Sequence, residues 1–191
     1  MLNDISSPLA LLNSRRSGRP RDMVAPGPDD AQLDAMLAIA ARAPDHGKLA
    51  PWRFVIVPAG ARDAFAEKLV AAYRAERPEA GRLEIEAMES FARQAPALVV
   101  VLSSPKESHI PRWEQELSVG AACLNLLHAA TALGFTGGWL TGWPAYSDAV
   151  RDLFGAAPER IAGFVFIGTP SKPLEERPRP EMDKIVRKWT V

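Results

Sequence analysis

Glu114-Gln115-Glu116-Leu117-Ser118-Val119-Gly120-Ala121-Ala122-Cys123-Leu124-Asn125-Leu126-Leu127-His128-Ala129-Ala130-Thr131-Ala132-Leu133 predicts the longest helix of the chain. Glu114 and Glu116 suit its first turn, where the exposed backbone N–H groups favour negative charge. Val119, Ala121, Ala122, Cys123, Leu124, Leu126, Leu127, Ala129, Ala130 and Leu133 surround the helix instead of lining one stripe. A helix that is apolar all round is covered on all sides, because burying each large side chain is worth roughly 1.5–3 kcal/mol. Two placements satisfy that demand: the centre of one core, or a helix pair at a subunit interface. Beyond Lys172 the chain carries Pro173, Pro178 and Pro180 before Ile185, Val186 and Trp189, which reads as an extended arm (173–191) with an apolar tip. A proline-rich tail of that kind reaches a neighbour more readily than it folds back, so the interface is the favoured placement.

Working outward, Ser6-Ser7-Pro8 is a helix start, with serine as cap and proline at the first helical position, and Leu9–Asn13 is a short helix. Gly18, Pro20, Pro26, Gly27 and Pro28 make the next stretch a loop. Asp29 or Asp30 opens a second helix with Leu33, Met36, Leu37 and Ala40 on one face, which Pro44 closes. Phe54, Val55, Ile56 and Val57 predict a buried strand over 53–57, and Ala97–Leu102 a second. Between them lie two charged helices, 61–77 and 79–94, split by Pro78. Ile161–Ile167 predicts a third strand that ends at Gly168-Thr169-Pro170.

At 191 residues, with no shift in composition, one domain spanning 1–191 is expected. Lys plus Arg and Asp plus Glu both number 23, so no overall field draws nucleic acid or an anionic membrane. A single thiol, Cys123, in an apolar stretch suggests a packing role in a reduced compartment. No apolar stretch approaches the ~20 residues of a membrane span, and the N-terminus carries no secretory signal, so a cytoplasmic protein is expected. His46, His109 and His128 share no ligand spacing with Cys123, so no metal site is expected. The Rossmann glycine pattern, the P-loop, the zincin helix and the hydrolase elbow are all missing.

Three segments carry groups suited to chemistry. Asn13-Ser14-Arg15-Arg16-Ser17-Gly18-Arg19-Pro20-Arg21 concentrates four arginines and two serines, a forked donor set that matches phosphate oxygens, although arginines there also complement a helix C-terminus. Arg42-Ala43-Pro44-Asp45-His46-Gly47-Lys48-Leu49-Ala50-Pro51-Trp52-Arg53-Phe54 joins helix to strand, with prolines bracketing a loop that either holds donors for a planar ligand or simply turns the chain. Gly134-Phe135-Thr136-Gly137-Gly138-Trp139-Leu140-Thr141-Gly142-Trp143-Pro144 reads as a glycine-rich turn that lets backbone approach a ligand beside an aromatic wall.

In this order and spacing, these segments together with Pro111-Arg112-Trp113-Glu114-Gln115-Glu116 and Gly163-Phe164 through Gly168-Thr169-Pro170 resemble the small single-domain branch of the FMN-dependent nitroreductase family, over essentially the whole chain. The resemblance implies an α+β sandwich, with a central mostly antiparallel sheet flanked by helices, in an intertwined homodimer that binds one FMN at each of two interface sites. Carried over, Arg15, Arg16 and Ser17 hold the FMN phosphate and ribityl end from one subunit, and Arg42 and His46 approach from the other. Trp139, Leu140 and Thr141 line the cofactor from the first subunit's glycine-rich turn. The relatives usually carry arginine where this chain has Leu140, leaving only backbone or apolar contact there. The implied activity passes a hydride from NAD(P)H through FMN to a small-molecule acceptor such as a nitroaromatic or quinone, and no side chain stands out as catalytic. A flavin-storage protein without turnover is the alternative that shares the same arginine cradle.

Overall fold

The structure, a computed structural model, describes residues 2–190; Met1 and Val191, the last residue of the expected arm, lie outside the described residues. The elements run α1 (Pro8–Ser14), β1 (Met23–Val24), α2 (Asp30–Ala40), β2 (Trp52–Ile56), α3 (Arg62–Glu76), α4 (Arg82–Arg93), β3 (Ala97–Ser103), α5 (Arg112–Ala132), β4 (Thr136–Leu140), α6 (Trp143–Tyr146), α7 (Asp148–Arg151), β5 (Arg160–Pro170) and α8 (Met182–Ile185). Every strand pairing is antiparallel: β2 with β3, β3 with β5, and both β4 and β1 with β5. This is the expected α+β sandwich with helices on both faces of the sheet.

Both faces of β3 and β5 are buried, which is why these strands read as unbroken apolar runs. Leu98, Val100, Leu102, Phe164 and Phe166 point to one side, where Phe65, Leu69 and Phe91 of α3 and α4 meet them. Val99, Val101, Val165 and Ile167 point to the other, against Leu33 and Met36 of α2 and Val119, Cys123 and Leu126 of α5. Cys123 is fully enclosed, and burial pushes its thiol pKa up to about 12, in keeping with a packing role. Arg62, also buried, donates to Val57 O, Ala92 O and Gln94 O, tying the end of β2 to the end of α4.

Several expectations need correction. The stretch read as a glycine-rich turn is strand β4, paired with β5 from Thr136↔Gly168 to Leu140↔Phe164. Glycine is needed there because a Cβ at Gly138 would press on the Gly18 carbonyl and the Pro20 ring. The segment 53–57, read as buried, lies mainly in an edge strand: Val57 is buried, Phe54 and Val55 pack half-buried on opposite core clusters, and Ile56 is 42% exposed. β5 runs on through Gly168-Thr169-Pro170, because Met23 and Val24, in a stretch expected to be loop, pair with its last two residues. The arm contains the short helix α8, and its apolar residues Met182, Ile185 and Trp189 are exposed.

α5 is covered on one side only. Val119, Ala122, Cys123, Leu126, Leu127 and Ala130 pack inward. Trp113, Leu117 and Leu124 are 68%, 55% and 42% exposed, and with Gly120 they form one helical stripe uncovered by the chain itself.

At the rim of the sheet, Arg53 donates from Nε and Nη2 to Glu159 at 3.0 and 2.7 Å, and from Nη2 to Phe154 O at 2.8 Å. This contact holds the Glu159 pKa down, from 4.5 to about 2. A carboxyl depressed in the folded state stabilises the fold above its unfolded pKa and loses that contribution as pH falls through its folded one. Wild type is therefore expected to lose stability between about pH 4.5 and about pH 2, with Glu159→Gln showing a flatter decline in urea unfolding across that window. Parallel declines in the two proteins would remove Glu159 from the acid response.

Candidate functional site

Ser7 caps α1, its Oγ accepting from Ala10 N at 3.1 Å, and the chain then leaves the helix at Arg15. Asn3 Oδ1 accepts from Arg16 N at 2.6 Å, and Gly18 N donates to Gly137 O at 3.3 Å, so this segment lies fixed against β4. Arg15 and Ser17 are thereby placed side by side, with Arg15 Nη1 donating to Ser17 Oγ at 3.2 Å. Arg16 turns the other way: its Nε donates to Glu175 O at 2.8 Å and lies 3.8 Å from Glu176, fastening the root of the arm.

The arm brings in a residue that sequence reading missed. Burial first, and then the like charges of Arg179 and Arg16, lower the Arg15 pKa, so Arg179 lies within electrostatic reach of Arg15. Glu176 is held by Arg179 at 2.9 Å and lies nearer Arg16 than any other acid does, whereas Arg15 has no carboxylate partner among the described residues. Like charges gathered around a half-buried guanidinium make a place for an anion. A cleft of about 490 Å³ opens on the Arg16 side of this corner and shares Ser17 with it, its other lining residues including Gly18, Arg19, Asp22, Lys172 and Glu175.

β4 carries the second group. The Trp139 indole lies across Gly163, where any Cβ would overlap it, and its Nε1 donates to Ala162 O at 3.0 Å. Leu140 packs into the core beside Phe164 instead of facing outward, so a backbone role is what remains to it. Thr141 is exposed. Gly142 follows with φ 77° and ψ −166°, a conformation reserved for glycine, and turns the chain into α6. That helix, its first two residues expected in the glycine-rich turn, is clamped by Glu76, which accepts from Trp143 Nε1 at 2.9 Å and from Ser147 Oγ at 2.6 Å. Trp139 and Tyr146 wall a smaller cleft of about 260 Å³ with Arg160 and Ser103 at its rim. The Ser103 hydroxyl is buried with no hydrogen-bond partner among the described residues.

Arg42 and His46 stand apart from the Arg15 group. Arg42 follows α2 and is exposed, and His46 Nδ1 meets Glu114 Oε2, in the first turn of α5, at 2.7 Å. Arg15 lies at the opposite end of α5, near enough to His128 to lower its pKa after burial has done so first. Glu114 and His128 are separated by about four helical turns, roughly 21 Å along the axis. One chain therefore fixes Arg15 and Ser17 beside the start of β4 and holds Arg42 and His46 at a distance from Arg15. No group of three or more His, Cys, Asp and Glu side chains among the described residues could hold a metal ion, and no described helix is long and apolar enough to cross a membrane.

Residues 12–169 match the family model described as Nitroreductase family. YdjA of Escherichia coli K12, which carries the provisional name NAD(P)H nitroreductase, is 35% identical over 162 residues, covering 84% of this chain and 86% of that protein. Among solved structures, a nitroreductase-like family protein of Bacillus cereus superposes with a TM-score of 0.81 at 22% identity, over 96% of each chain. A nitroreductase of Desulfovibrio desulfuricans, solved in complex with FMN, superposes with a TM-score of 0.74 at 21% identity, over 97% of this chain and 99% of that one.

Proposed function

The chain belongs to the nitroreductase family, and from that premise we propose that it is an FMN-dependent oxidoreductase working as a homodimer, with two sites each built from both copies. The observation that carries this reading is Arg15: a half-buried guanidinium without a carboxylate partner among the described residues, gathered with Arg179 and Arg16 and hydrogen-bonded to Ser17. Such a cluster fits a phosphate monoester, which brings a charge of about −1.5 to −2 at pH 7 and acceptor oxygens on every side. FMN bound there supplies two-electron chemistry between NAD(P)H and a small acceptor.

The protein's part is to bind, orient and exclude. Arg15, Ser17 and Arg179 hold the anionic end, and Arg16 keeps the arm in place behind them. Trp139, Leu140 and Thr141 line the ring system, with Trp139 fixed by its bond to Ala162 O. Arg42 and His46 come from the second copy. If two α5 helices lie antiparallel across their uncovered stripes, the Glu114 end of one meets the His128 end of the other, and the 21 Å gap within one chain closes between two (about 1.5 Å per residue). The arm 173–191 embraces the second copy and covers its own exposed apolar tip. NAD(P)H and then a nitroaromatic or quinone acceptor occupy the same open face in turn, so no separate dinucleotide fold is required.

The purified protein is expected to be yellow, to release FMN on denaturation, and to lose its flavin absorbance when NADH or NADPH is added under anaerobic conditions. Flavin that stays oxidised under both donors would instead make this a storage protein. A colourless protein that takes up no added FMN would end the reading altogether.

A further inference from the structure

The loop that carries His46 is unusually built. Gly47, Lys48 and Ala50 have φ of 78°, 56° and 48°, so two residues with side chains occupy the left-handed region within four positions. A residue with a side chain keeps that conformation only where the surroundings enforce it. The enforcement is visible: Asp45 accepts from Leu49 N at 3.1 Å and from Ala50 N at 2.7 Å, and Pro44 and Pro51 close the loop at both ends. What this strained scaffold presents to solvent is His46, with Nδ1 held by Glu114 at 2.7 Å and Nε2 without a partner among the described residues.

The charged and titratable groups on the elements packed around His46 are Arg42 from the end of α2, Asp45 and Lys48 from its own loop, Lys106, Glu107 and His109 from the segment whose Ile110 lies against Gly47, and Arg112 and Glu114 from α5. Asp45 is occupied by backbone N–H groups and Arg112 by Glu116 at 2.9 Å. Among the described residues, Glu114 alone engages the ring. A carboxylate that receives the Nδ1 proton fixes the ring's orientation and makes Nε2 the nitrogen that exchanges protons with a ligand.

We infer that His46 donates a proton to the acceptor reduced in the other copy's site, and that Glu114 is its positioning residue. This rests on the reading that the Arg42–His46 segment closes over a ligand held by the second chain. Converting a quinone-class acceptor to its hydroquinone takes two electrons and two protons. NAD(P)H provides both electrons and one proton, as a hydride equivalent, and leaves as NAD(P)+. The second proton goes to the acceptor oxygen that has gained negative charge: the Nε2–H bond of protonated His46 breaks, an O–H bond forms, and water restores the proton to the ring.

The test uses the FMN-loaded protein, with free FMN in excess and occupancy read from absorbance. His46→Ala is expected to slow quinone turnover roughly 10²-fold and to remove one ionisation from the pH profile of kcat. Added imidazole is expected to restore part of the rate in proportion to its protonated fraction. Glu114→Gln, which keeps the ring, is expected to lose about 10-fold and to respond little to imidazole. Independently of turnover, the pH dependence of the bound flavin's reduction potential is expected to lose an inflection in His46→Ala. An unchanged pH profile and no rescue in a fully occupied variant would overturn the inference, as would a loss explained wholly by lower occupancy. A wild-type protein that takes up no FMN would instead overturn the reading beneath it.

Discussion

Arg15→Ala is expected to weaken FMN binding by roughly 10²-fold, the equivalent of about 3 kcal/mol for a lost charge-assisted fork on phosphate. Arg15→Lys keeps the charge and loses the fork, and is expected to fall between wild type and alanine. The same substitution should leave the flavin-free protein at least as stable as before. Arg15 is held by burial beside Arg16 and Arg179, all three disfavouring its charge, so its removal relieves repulsion that only an anion offsets. Fluorescence titration of the apoprotein with FMN reads the first effect, and urea unfolding of the apoprotein reads the second. Arg16→Ala offers a contrast, since that side chain holds Glu175 O and Glu176 and acts through the arm. An Arg15→Ala protein that binds FMN as tightly as wild type would detach the phosphate from this corner of the fold.

What could be read in advance divides along physical lines. β3 and β5 announce themselves because both of their faces are buried, so almost every position is apolar. α2 does so through an Asp29 cap that also forms a capping box with Gln32. β4 stays hidden because its neighbours forbid side chains: Gly137 faces Leu127, Gly138 faces the Gly18 carbonyl, and a strand made of glycine resembles a turn. In the site, Arg15 and Ser17 are legible from local composition, being two residues apart. Arg179, Glu76 and Glu114 are not, because each acts on a residue far away along the chain, as Glu114 does on His46 across 68 positions. Nothing in local pattern marks such pairs. The long helix is the intermediate case: its all-round apolar character is visible at once, but only packing separates the half covered by the sheet and α2 from the half left open.

That open half sets the second large effect. Leu117→Glu places a carboxylate in the middle of the stripe formed by Trp113, Leu117, Gly120 and Leu124. In a symmetric helix pair the charge enters the interface twice, and each uncompensated buried charge costs roughly 3–5 kcal/mol. The variant is expected to sediment as a folded monomer, with the wild-type far-ultraviolet spectrum, because the face that packs on the sheet is untouched. It is also expected to lose its FMN, although Leu117 is not among the residues assigned to the cofactor. Removing the second copy removes Arg42 and His46 and leaves the ring system with Trp139, Leu140 and Thr141 alone. Leu83→Glu on α4 provides the control, since Leu83 is 71% exposed on a helix that packs against the opposite face of the sheet, and it should change neither assembly nor flavin content. A Leu117→Glu protein that remains dimeric would move the interface off α5. A monomer that keeps its full complement of FMN would show that one chain suffices to hold it, and Arg42 and His46 would then have no place at the cofactor.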